Sequence, residues 1–74
     1  MKDKRQRFEE VAGKRVRFII DKLDLLGNCS NRNNYEYNEE DTKKMFGAIK
    51  EAIRLTELRF QNELSKSKKN KFKF

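Results

Sequence analysis

Cys29 is the one thiol in a chain of 74 residues, and no histidine stands anywhere to serve as its base. A thiol attacks only once a neighbour has taken its proton, and an aspartate or glutamate alone is a poor partner for that step. The same two counts exclude an internal disulfide and a Cys/His metal cluster. Glu39, Glu40 and Asp41 carry oxygens that a hard cation would accept, but consecutive side chains diverge around a helix end instead of converging on one point. Residues 28–30, "NCS", match the short glycosylation acceptor pattern, which chance produces freely, and nothing resembles a glycine-rich phosphate loop. The residue types therefore predict no catalytic residue, no metal and no cofactor. Cys29 is expected to be a small side chain tucked under a connector.

The chemistry that remains is recognition. The net charge is +7, and it sits at the two ends: residues 1–7 carry +3 and residues 65–74 carry +5, while residues 8–64 hold 10 basic against 11 acidic side chains. Lys4, Arg5 and Arg7 at one end, and Lys66, Lys68, Lys69, Lys71 and Lys73 at the other, suit contact with phosphates; equally, lysine-rich ends are common solvated frays. Arg15 and Lys22, seven residues apart, project within or beside the apolar arc of the first helical segment, with Lys4 on the same projection. Such residues either lay their stems on a core and point the charge to water, or rim an interface for nucleic acid or an acidic partner. A second constellation is Arg32, Asn33, Asn34, Tyr35 and Tyr37. Its planar donors and two rings suit stacking on bases or anchoring in a protein pocket, or else close the end of a hairpin.

Two amphipathic segments must position these groups. Phe8, Ala12, Val16, Ile19, Leu23 and Leu26 advance by threes and fours, as one face of a helix does. Val11, Phe18 and Leu25 form a flank on one side and Ile20 extends the other, widening the apolar arc to about 220°. One antiparallel neighbour cannot cover that width. Gly27 is expected to stop the helix in the left-handed conformation. The second start is marked by Asn38 ahead of Glu39, Glu40 and Asp41, an asparagine cap with acids where the helix dipole favours them and a capping-box residue at the third position. Tyr37 stands where a staple onto the first turn would. Met45, Phe46, Ile49, Ala52, Ile53, Thr56, Phe60 and Leu64 then share a face of about 100°, with Leu55 and Leu58 at the side and rear as excess apolar surface. Proline is absent and β-branched residues are sparse, which leaves strands little support.

The run "KRVRFIIDKLDLLGNCSNRNNYEYNEEDTKKMFGAIKEAI", residues 14–53, resembles a group of small uncharacterised proteins of phages and integrative or conjugative elements of Gram-positive bacteria. The likeness rests on "KRV" at Lys14–Val16, "GN" at Gly27 and Asn28, "NRNNYEY" at Asn31–Tyr37, the acidic cap, and Met45, Phe46, Ala48 and Ile49. It covers about half the chain, and members often carry threonine where Asn38 stands. It implies a mobile-element accessory protein and brings no activity or site residues with it. Small proteins of that setting commonly act by binding DNA, a replication or transfer machine, or a host defence complex. That last group includes inhibitors of CRISPR nucleases, many of them acidic mimics of nucleic acid, a style from which this basic chain departs.

The expectation is an all-α chain: a two-helix antiparallel hairpin with basic tails, completed by self-association or a partner. Its parts are a basic extension over 1–7, a helix over about 8–26, a connector over 27–37, a helix over about 38–64, and a lysine-rich tail over 65–74. A homodimer forming a four-helix bundle is the simplest completion. No apolar run reaches the roughly 18–20 residues a membrane span needs, and "MKDKRQRFEE" lacks the apolar core of a signal peptide, so a cytoplasmic protein is expected. The functional expectation is a non-enzymatic module for nucleic acid or a ribonucleoprotein. The alternative is a protein-binding inhibitor or adaptor, such as an anti-defence protein, anchored by Arg32, Asn33, Asn34, Tyr35, Tyr37, Leu55 and Leu58.

Overall fold

The structure, a computed structural model, describes residues 3–66. It consists of helix α1 (Lys4–Gly27), a 3-10 turn (Asn28–Ser30) and helix α2 (Glu39–Lys66), the all-α class that the periodicity predicts. No helix among the described residues is long and apolar enough to cross a membrane. The chain divides into two units, Met1–Glu36 and Tyr37–Phe74, each built on one helix.

In the first unit the helix begins at Lys4, four residues before the expected start at Phe8. Asp3 is the reason. Its carboxylate accepts from the Gln6 backbone N–H at 2.7 Å while the Gln6 side-chain oxygen accepts from the Asp3 N–H, a reciprocal capping box that satisfies two otherwise orphaned donors. Lys4, Arg5 and Arg7 thus stand on the first turn of α1 instead of in an extension. An Arg5–Glu9 pair, 3.0 Å apart and one turn on, adds a small helical increment.

The other end of α1 also departs from the expectation. Gly27 has φ −57° and ψ −29°, ordinary right-handed values, and no glycine among the described residues has a positive φ. The helix does not need a left-handed stop because it tightens into the 3-10 turn, where the Asn28 N–H reaches back to the carbonyls of Asp24 and Leu25. The backbone leaves the helical region only at Asn31, with φ −66° and ψ 106°.

In the second unit the Asn38 cap forms as the sequence predicts. The Asn38 carboxamide oxygen accepts from the Asp41 N–H at 2.9 Å, and the Asp41 carboxylate accepts from the Asn38 N–H at 3.0 Å. Glu39, Glu40 and Asp41 fill the first turn. Tyr37 and Thr42, the positions that a hydrophobic staple brings together, are both half-buried. Further along, Arg54 donates twice to the Glu51 carboxylate, at 2.9 and 2.8 Å, and Lys66 sits 2.9 Å from Glu63 in the last turn. The guanidinium holds the Glu51 carboxyl below its ordinary pKa, and the carboxylate in turn raises that of Arg54.

Among the described residues no side chain is buried. The stripe residues Ala12, Leu26 and Ile49 are half-buried, as is Thr42 in the first turn of α2, whereas Phe8, Val16, Ile19, Ile53 and Phe60 are exposed. Local caps and pairs fix where each helix begins and where it is reinforced. Replacing Asn38 with alanine should lower helix stability by about 1 kcal/mol in thermal melts followed by circular dichroism; an unchanged melt would contradict the capping account.

Candidate functional site

Because α1 starts at Lys4, three cations come into line on it. Lys4 and Lys22 are 18 residues apart, five full turns, and so share one azimuth, with Arg15 about 20° away. The row runs about 27 Å along the helix. On its two sides lie the apolar stripe at Phe8 and Leu26 and the flank of Val11, Phe18 and Leu25, while Glu10, Asp21 and Asp24 occupy the opposite part of the surface. All three cations are exposed.

The Lys22 ammonium sits over the Phe18 ring, 4.9 Å from its centroid. It neither lies along the main stripe nor points away from the protein, but caps the apolar flank one turn back. Arg5 projects onto the stripe, where its guanidinium lies 5.8 Å from the Phe8 ring centroid besides pairing with Glu9. Arg7 stands on the first turn, on the flank side. At the far end of the chain Lys66 belongs to α2 and is paired with Glu63. Lys68, Lys69, Lys71 and Lys73 lie outside the described residues.

In the connector, turn chemistry reaches further than the sequence suggests. Asn31 organises it: the carbonyl accepts from the Asn34 N–H at 3.1 Å and the Tyr35 N–H at 3.0 Å, and the carboxamide oxygen accepts from the Asn33 N–H at 2.9 Å. Arg32, Asn33 and Asn34 form the turn itself and, with Tyr35, are exposed. Tyr37, in the second unit, is half-buried ahead of the α2 cap. Leu55 and Leu58 are exposed on α2.

Cys29 is exposed, not tucked away. It lies in the 3-10 turn that replaces the expected glycine stop. Among the described residues no group of His, Cys, Asp and Glu converges as a metal site would require.

Sequence reasoning missed the Asp3–Gln6 box and the two ring contacts. Each has a sequence signal: an Asp followed three residues later by Gln, and aromatic and basic residues three or four apart. Comparison with protein-family models, curated proteins and solved structures gives no match. An aromatic disulfide reagent should modify Cys29 in the native protein at nearly the rate seen in denaturant; a native rate slowed more than about tenfold would contradict its exposure.

Proposed function

We propose that this chain is a non-enzymatic binding module of a mobile element, and that it engages nucleic acid or a ribonucleoprotein through cations on α1 and at its basic ends. The observation that carries this reading is the Lys4–Arg15–Lys22 row, with Arg5 and Arg7 beside it. Cations in the first turn oppose the helix dipole, and the first turn of α1 holds no acid to offset Lys4, Arg5 and Arg7. Their placement costs the helix something, and an anionic partner would return it. Asp3 alone provides the negative cap.

In this reading the stripes of α1 and α2 face each other in an antiparallel hairpin. The surface left over, Val11, Phe18 and Leu25 on α1 with Leu55 and Leu58 on α2, is covered by a second copy in a four-helix bundle.

A protein-binding role, as an inhibitor or adaptor in the anti-defence class, is favoured by one different observation. Asn31 holds Arg32–Tyr35 in a fixed turn with Tyr35 exposed, the preorganised presentation that a protein pocket would use.

Salt titration separates the two. If phosphate contacts supply the affinity, log K falls linearly with log salt, and exchanging Lys4, Arg15 and Lys22 for glutamine lowers that slope by roughly 2–3. Trimming residues 65–74 should weaken nucleic-acid binding strongly and leave a tyrosine-anchored protein complex intact. An affinity that does not change with salt contradicts the leading reading. Loss of a protein complex on replacing Tyr35 and Tyr37 with alanine, with helix content preserved, establishes the other.

A further inference from the structure

A second basic surface lies on α2, in a place that the charge distribution along the chain does not reveal. Thr42, Lys43, Phe46, Gly47 and Lys50 line a shallow, open depression on the α2 surface. Its floor is the helix backbone at Gly47, where an added Cβ would meet nothing within 4 Å. Phe46 forms one wall, with 44% of its surface exposed. Thr42 does not offer its hydroxyl proton to the depression, because that proton is donated to the Glu39 carbonyl at 2.8 Å.

The remaining side-chain donors are the two lysines. Unlike Arg5, Arg54 and Lys66, neither Lys43 nor Lys50 is paired with a carboxylate among the described residues. They stand about 10.5 Å apart along the helix axis, on either side of the Phe46 position. Glu39 lies one turn before Lys43 and Glu57 two turns past Lys50 on nearly the same azimuth, so the positive stretch is short and bounded at both ends.

A glycine inside a helix costs roughly 1 kcal/mol relative to alanine. Nothing within the second unit crowds Gly47, so packing there does not require it. The open space leaves room for a ligand to approach the helix backbone beside Phe46.

We infer that Lys43, Phe46, Gly47 and Lys50 form a contact site for single-stranded nucleic acid: one base stacks on Phe46 over the gap left by Gly47, and its flanking phosphates meet the two ammonium groups. Stacking on an aromatic ring between cations is how sequence-tolerant single-strand binding works. A duplex keeps its base faces inside the stack and cannot use the ring. An acidic peptide could pair with the lysines but has no flat face to place on Phe46. Lys43, Gly47 and Lys50 lie about 100–160° from the centre of the α2 stripe and Phe46 stands at its edge, so in the proposed hairpin the ring borders the open side of the helix. The inference rests on the nucleic-acid reading of the chain and adds to it which strand form is preferred.

The test uses the full chain with fluorescently labelled deoxy- and ribo-oligonucleotides of about 15 nucleotides, each single-stranded and as a duplex. Phe46→Leu keeps apolar volume but removes the ring. It should weaken single-strand binding about tenfold and leave duplex binding unchanged. Gly47→Leu fills the depression with a side chain that leans back over Lys43; it should weaken single-strand binding similarly while raising the melting temperature, which separates binding from folding. The Lys43→Gln, Lys50→Gln pair should lower the single-strand salt slope by about 1.4. Wild-type levels of single-strand binding in both Phe46→Leu and Gly47→Leu overturn the inference and leave the α1 cation row standing. A wild-type chain that binds neither strand form overturns both.

Discussion

Each helix carries an apolar stripe that its own unit does not bury, and the rest of the molecule depends on how that surface is covered. Large aliphatic and aromatic side chains gain about 1.5–3 kcal/mol each on full burial. Phe8, Val16, Ile19 and Leu23 on α1, and Ile53, Phe60 and Leu64 on α2, remain exposed in the single chain. Against that stands the conformational entropy of holding two long helices in place, about 1–2 kcal/mol per residue for the backbone alone. Capping boxes at both helix starts and a few exposed ion pairs fix where the helices begin and where they are reinforced, but their increments are small beside that cost. In the proposed arrangement a second apolar surface makes the sum favourable. The proposed hairpin supplies one such surface and the proposed second copy supplies the other.

Charge is arranged around the same apolar surface. Several cations are used inside their own helices: Arg5 on Glu9 and Phe8, Arg54 on Glu51, Lys66 on Glu63. Lys22 lies over Phe18, where its charge borders the very flank that a second copy would cover. Lys4 and Arg15 continue that line, while Lys43 and Lys50 mark a separate one on α2. The acids concentrate where helix physics calls for them, at the start of α2, or on the polar back of α1. The division explains why the described body of the chain is nearly neutral by count and still presents basic lines to a partner.

The two helices are legible in the sequence because periodicity and caps act locally. Asn38 and Asp41 are three residues apart and need no tertiary context to bond as they do. The first helix start was equally local, yet the dense charge of residues 1–7 masked the Asp3–Gln6 box. Gly27 misleads because glycine permits a left-handed stop without requiring one, and the 3-10 turn through Asn28–Ser30 satisfies the same carbonyls another way. Cys29, expected under the connector, is exposed in that same turn. The depression around Gly47 was not legible at all. It depends on a glycine that sits off the apolar stripe, on lysines that leave it unpaired, and on a ring that the periodicity assigns wholly to the stripe.

The most direct measurement is the mass of the chain in solution together with its melting temperature across protein concentration. If a second copy covers the flank of α1 with Leu55 and Leu58, light scattering gives twice the 9.0 kDa chain mass, and the melting temperature rises with concentration as mass action requires. A chain that scatters as a monomer and melts cooperatively at a temperature independent of concentration would contradict the account.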